Sequence, residues 1–192
     1  MISVIREPGS YLYHKSPIGE FVLASDSVIP SFQKVPQIMA IIPEPEIEAF
    51  NTIGYTIGGM LVFPGNRVDG KMTINGARGC HPLIRDRFDL TLECIRRHYA
   101  GEPSPLSKPL ERYSDFFKLF SDFRGYVEFF LLHDLVDNSL AVKISQPFDN
   151  FRGSPVPRDA NGYRSYRDDA VEFINARNRR IQSTVMSSRG DR

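Results

Sequence analysis

Residues 63–79 read FPGNRVDGKMTINGARG, and within them Gly65, Gly70 and Lys71 stand in the order of a phosphate-cradling loop: glycine, four residues, glycine, lysine. Such a loop needs a strand leading in. It also needs a Ser or Thr after the lysine to hold magnesium, and a helix that opens there with its N-terminus toward the phosphates. The strand is expected. Met72 occupies the hydroxyl position with Thr73 one place late, KMTI reads as extended, and Asn75-Gly76 would break a first helical turn. The sequence therefore argues against a nucleotide hydrolase. Val68-Asp69-Gly70 reads better as a hairpin turn with Gly70 at positive φ.

The stretch can still do chemistry. Asn66, Arg67, Lys71, Asn75 and Arg78 gather around two turns. Three cations beside glycines, whose backbone N–H groups are free to converge on an oxyanion, form a candidate phosphate site. The competing reading is an ordinary solvated turn. A second group completes the candidate pocket: His81, and Asn175, Arg177 and Arg179 of EFINARNRR. Arg177 falls four after Phe173 and four before Ile181, on an apolar stripe. It therefore snorkels, pairs with an acid such as Asp149 or Asp89, or points into a pocket. Guanidinium and amide planes suit phosphates and base edges. His81 or Asp69 could act as a base, but no spacing fixes which, so catalytic residues stay unassigned.

Other titratable groups point to little. His14 lies in an aromatic strand, His98 at a helix end and His133 beside Asp134, which is expected to orient a core histidine. No HxH or HExxH spacing occurs, so no metal site is predicted. Cys80, in an expected loop, and Cys94, in an expected helix, are isolated. That excludes a zinc ribbon or CxxC redox pair and fits a reduced cytoplasm. No cofactor motif is present. The net charge of +1 gives no bulk drive toward DNA or an anionic membrane, so anion binding must be local. The N-terminus is no signal peptide and no apolar run reaches a membrane span.

Positioning these groups falls to the following elements. Tyr11 to Lys15 and Ile18 to Ala24 alternate like a hairpin. Prolines punctuate residues 28–45, predicting irregular chain with an extended run at 38–42. Residues 53–63, IGYTIGGMLVF, read as a buried strand, with Gly58-Gly59 marking a bulge or close backbone approach. KMTI reads as its returning partner. Ile84, Phe88, Leu92, Ile95 and Tyr99 step as one face of a helix to Gly101, with Arg85, Arg87, Arg96 and Arg97 off that face and Arg85 and Arg96 aligned. Asp89–Glu93 and Glu93–Arg97 fall at i,i+4, the spacing of an ordinary charged surface. A second helix covers 110–123. Residues 125–136 form a helix or strand, 140–146 a strand, 149–162 a loop and 163–182 a last helix. One α+β domain is predicted over 1–182, a small mostly antiparallel sheet packed by three to four helices, with Tyr113–Leu132 as core and a polar, frayed tail at 183–192.

IGYTIGGMLVFPGNRVDGKMTINGARG, DRFDLTLECIRRHYAGEPSPL, YSDFFKLFSDFRGYVEFFLLHDLV and YRSYRDDAVEFINARNRRI together resemble a family of uncharacterised bacterial proteins, a domain of unknown function. The resemblance runs from about Tyr11 onward and brings no established activity, so no catalytic residue is carried over. It implies a bacterial or phage origin, an intracellular setting and relatives that begin further upstream, so this chain is expected to lack an N-terminal segment. Two functions are expected. One is a nucleotide- or nucleic-acid-phosphate-binding protein, whether or not an enzyme. The other is a non-catalytic protein-interaction module, a regulator or inhibitor.

Overall fold

A computed structural model describes residues 4–5, 12–17, 19–30, 32, 35–145 and 149–190. Four strands form one antiparallel sheet in chain order: β1 (Val4–Ile5), β2 (Leu12–Ser16), β3 (Gly19–Ser27) and β4 (Met60–Pro64). The expected hairpin is β2–β3, closed where Ser16 pairs with Gly19. Its expected end residues Tyr11 and Ile18 lie outside the described residues.

Between β3 and β4 the chain is helical, not irregular. α1 (Pro36–Met39) and α2 (Glu44–Gly54) occupy it, so residues 38–42 are not extended. Proline breaks a helix interior but fits its first turn, where its missing N–H is not needed. Pro36 and Pro45 both sit there, and Glu44 and Glu46 place negative charge at the N-terminus of α2. Ile47, Phe50 and Gly54 form the buried stripe of α2. The strand expected over 53–63 shrinks to β4, because Ile53 and Gly54 finish α2 and Ile57–Gly59 make a 3-10 turn. The expected close approach is present: a Cβ on Gly58 would lie 2.4 Å from the Ile174 carbonyl oxygen, and one on Gly59 2.2 Å from that of Gly54.

KMTI does not return to the sheet. Residues 71–73 are a connection, and α3 (Ile74–Cys80) takes in Asn75-Gly76, capped by the Thr73 hydroxyl, which accepts from the Gly76 N–H at 3.2 Å. Cys80 is therefore an exposed helix end, not part of a loop. The strongest predicted helix is α4 (Phe88–Ala100), stopped by Gly101 in the left-handed conformation. Ile84 and Arg85 precede it in a tight turn, with Arg85 and Asp86 at φ 48° and 67°, so Arg85 shares no helical face with Arg96. The second predicted helix is two, α5 (Ser107–Arg112) and α6 (Ser114–Lys118), broken at Tyr113. α7 (Phe123–Phe129) resolves 125–136 in favour of helix. The strand expected over 140–146 is a single bridge, Val136 to Val142, and Gln146 lies outside the described residues. α8 (Ala160–Gly190) runs on through the polar segment from Ser183.

The fold is α+β, with the small sheet in the N-terminal half and the helices mostly C-terminal. The Phe-rich segment is core as expected: Tyr113, Phe116, Phe117, Phe120, Tyr126 and Phe130 are buried, and the last five meet edge-on or tilted. α8 packs on α2 through Phe50, which meets Tyr163 and Tyr166 edge to face. The carboxylate of Glu46 accepts from both Arg164 and Arg167 at that crossing.

Candidate functional site

The loop from β4 into α3 divides the five residues expected to hold phosphate. Asn66, Arg67 and Lys71 are exposed on it. Lys71 donates its N–H to the Val68 carbonyl across Asp69 and Gly70, both left-handed at φ 52° and 67°. The turn is thus as predicted, but it leads into a helix instead of a hairpin. A helix does follow the loop, contrary to the extended reading of KMTI, but it opens at Ile74, three residues after Lys71 and not at the lysine. The magnesium criterion is not met, since Met72 keeps the hydroxyl position and Thr73 is committed to capping. Asn75 is half-buried on α3, and its Oδ1 has no partner among the described residues. Arg78 turns inward and is 1% exposed. Its guanidinium donates to Asp26 Oδ2 (2.8 Å), the Ser27 carbonyl (3.1 Å), the Asp86 carbonyl (2.7 Å) and Thr91 Oγ1 (3.3 Å). Asp86 Oδ1 lies 3.1 Å from the same guanidinium. Burial raises the Asp86 pKa; Arg78 opposes this, and Asp26 adds to it.

The four expected pocket residues do not meet. His81 is half-buried in the turn after α3, where its Nδ1 accepts from the Leu83 N–H. Asn175 is exposed. Arg177 is buried and pairs with neither Asp149 nor Asp89. It donates to the carbonyls of Phe130 (2.8 Å), Gly58 (2.8 Å) and Met60 (2.7 Å). With no carboxylate beside it, burial pulls its pKa down to about 10, which still leaves it a cation at neutral pH. Asn178 works alongside, accepting from the Gly58 N–H and donating to the Thr56 hydroxyl. The apolar-stripe arginine is thus a clamp from α8 onto residues 56–60. His133 is exposed and is not oriented by Asp134, which pairs with Arg180.

Arg179 alone of the nine lines a cleft of ≈ 480 Å³ bounded by α8, the start of α4, residues 28–29 and residues 134–145. Val28, Ile29, Phe88, Ile144 and Phe173 make its apolar wall. Beside Phe88, Asp89 is buried against Arg87, which grips both carboxylate oxygens and donates its third nitrogen to the Pro155 carbonyl. Arg87 also lies over the Tyr166 ring, 4.9 Å from its centre. Burial lowers the Arg87 pKa, but the charge and hydrogen bonds of Asp89 outweigh it and the net direction is upward. Burial pushes the Tyr166 phenol up, and the Asp89 charge adds to that. Ser145 bridges the cleft, its N–H donating to Asp89 and its hydroxyl to Asp169 at 2.7 Å. Thr91 joins Arg78 and Arg87, accepting from the Arg78 guanidinium and donating to the Arg87 carbonyl.

Sequence reasoning missed Arg87, Asp89, Lys143 and Ser145. The available signal was Arg87-Phe-Asp89 at a helix start, a spacing of two that cannot be an i,i+3 or i,i+4 surface pair and so has to close locally. Chemically, the Arg87–Asp89 pair is saturated and builds the wall. Lys143, Arg179 and Glu172 line the cleft and form no salt bridge among the described residues, although the Lys143 charge acts on Asp137, so the charges that face a ligand are mixed. No three His, Cys, Asp or Glu side chains among the described residues group as metal ligands, and no helix among them is long and apolar enough to cross a membrane.

No curated protein and no solved structure matches the chain. The family of unknown function DUF6994 matches residues 2–181, nearly the whole chain, and the chain belongs to it.

Proposed function

We propose that the protein binds a small ligand of the nucleoside monophosphate class in the cleft beside Arg87 and Asp89. The reading is carried by two cations that form no salt bridge among the described residues, Lys143 and Arg179, both lining a cleft with an apolar wall; Lys143 is otherwise engaged only at longer range, by the charge of Asp137. A cleft of ≈ 480 Å³ falls within the range usual for small-molecule sites. A flat base lies against Val28, Phe88 and Phe173. The phosphate meets Lys143 and Arg179, and ribose hydroxyls donate to Asp169 and Glu172. The carboxylates disfavour a di- or triphosphate, whose added charge they would repel. This moves phosphate recognition away from Arg78, whose donors are engaged inside the protein.

The test is a thermal-shift series with the four nucleoside monophosphates, the matching nucleosides and inorganic phosphate. A ligand at about 100 times its Kd stabilises by about 2.7 kcal/mol, raising the melting temperature by about 5–10 °C for a chain of this size. The shift is expected for at least one monophosphate and is lost in Lys143→Ala/Arg179→Ala. No shift with any of these compounds, or an equal shift in the double variant, rejects the reading. A protein-interaction role rests on Tyr55 and Ile57, 75% and 65% exposed, and is the weaker reading because isolated apolar residues are common on surfaces.

A further inference from the structure

Two hydrogen bonds fasten the loop after β4 to the α5–α6 junction. The Tyr113 hydroxyl donates to the Asn66 carbonyl at 2.8 Å, and Arg112 donates to the Met72 carbonyl at 2.8 Å. Between those anchors Arg67 and Lys71 point to solvent. On α5, Lys108 and Arg112 are one turn apart, and Arg112 also donates to the Lys108 carbonyl at 3.2 Å. Four cations from two elements therefore share one face. Elsewhere most helical arginines are neutralised: Arg96, Arg97, Arg164, Arg167 and Arg180 each hold a carboxylate. Arg67, Lys71, Lys108 and Arg112 hold none among the described residues. The Arg112 Nε is buried with no hydrogen-bond partner, and its other two nitrogens meet only carbonyls. The nearby acids are Asp69 in the turn and Glu111, whose charge reaches His98 on α4.

We infer that this face docks the phosphodiester backbone of a nucleic acid, without reading its sequence. Phosphate contacts need cations alone and release counterions when made. Reading the sequence needs groups aimed at base edges, and among the described residues this face presents none. An acidic peptide would need apolar anchors in pockets to bind specifically, and the face exposes only Met72. The inference is independent of the cleft, since it uses none of the cleft residues.

The experiment is fluorescence anisotropy of a labelled oligothymidylate titrated with the full chain at several salt concentrations between about 50 and 200 mM. The variant is Arg67→Ala/Lys71→Ala/Lys108→Ala, all exposed side chains, with Arg112 kept because it anchors the loop. Binding is expected at low salt and is expected to weaken steeply as salt rises. Each single-strand phosphate contact adds about 0.7 to the slope of log K against log salt, so the triple variant is expected to lose about 2 from it. An unchanged melting temperature confirms that the variant is folded. No binding at low salt, or a slope the variant does not change, overturns the inference. Displacement of the strand by polyglutamate at equal charge concentration also overturns it and reassigns the face to an acidic protein.

Discussion

Arg78 is buried with its guanidinium shared among Asp26, the carbonyls of Ser27 and Asp86, and Thr91. Its partners Asp26, Asp86 and Thr91 lie 52, 8 and 13 positions away in the chain. The sequence displays a charge; only the fold displays what neutralises it. The same holds for Arg177, whose partners are carbonyls that no sequence motif announces. Exposed loop residues are the opposite case: Asn66, Arg67 and Lys71 were legible because glycine-rich turns end at the surface. Arg78→Ala is therefore expected to destabilise, not merely to weaken binding. It leaves two carboxylates and two carbonyls without their donor, a loss that reaches 3–5 kcal/mol for a fully buried pair. Asp26 and Asp86 are 30% and 28% exposed, so water relieves part of it and the cost falls near the low end, about 3 kcal/mol. The expected drop in melting temperature is about 6–12 °C, and Arg78→Lys does not restore it, because one ammonium cannot span partners that the guanidinium fork reaches on three sides. A melt within 2–3 °C of the parent would show that the network does not hold the fold.

At the scale of elements, period was a good guide and punctuation a poor one. α4 and α8 were legible because apolar residues recur every three or four positions along them, as Phe88, Leu92, Ile95 and Tyr99 do in α4 and Tyr166, Ala170 and Phe173 in α8. α2 carried the same signal in Ile47 and Phe50, but Pro43 and Pro45 were read as breakers when they stand at the cap and first turn. Alternation in 140–146 misled because residues 140–145 make a single bridge to Val136 and are held instead through Ser145, which bonds to Asp89 of α4 and Asp169 of α8. The glycines at 58 and 59 were read correctly, since close approach leaves glycine as the residue that fits. Gly58→Ala tests that contact. The new methyl would sit 2.4 Å from the Ile174 carbonyl and 2.8 Å from the Asn178 side chain. Backbone must move, and with it the Arg177 and Asn178 hydrogen bonds that join α8 to residues 56–60. Overpacking of this kind costs about 1–3 kcal/mol, so the urea midpoint falls with little change in the slope of unfolding. Gly153→Ala, with open space around the added methyl, is the control and is expected to leave the midpoint unchanged or slightly raised.

For the whole molecule, the question is how much of α8 belongs to the folded unit. Its buried residues run from Tyr163 to Arg177, and side chains from Gln182 to Ser187 are exposed. The family match stops at 181. We read residues 1–182 as the folding unit and the later turns as a helical extension supported by the body only at its base. Ser183, Thr184 and Ser187 bond back to carbonyls four residues earlier, which satisfies their hydroxyls without strengthening the helix. An isolated helix of two or three turns is marginal in water. Truncation after Gln182 is therefore expected to change stability by less than about 0.5 kcal/mol, the size of an ordinary surface change, and to move the melting temperature by no more than about 2 °C. A larger fall would mean that Val185 and Met186, both exposed on the single chain, are covered in solution. Covering by a second copy would make the melting temperature of the full chain rise with protein concentration, and that rise would vanish in the truncated form.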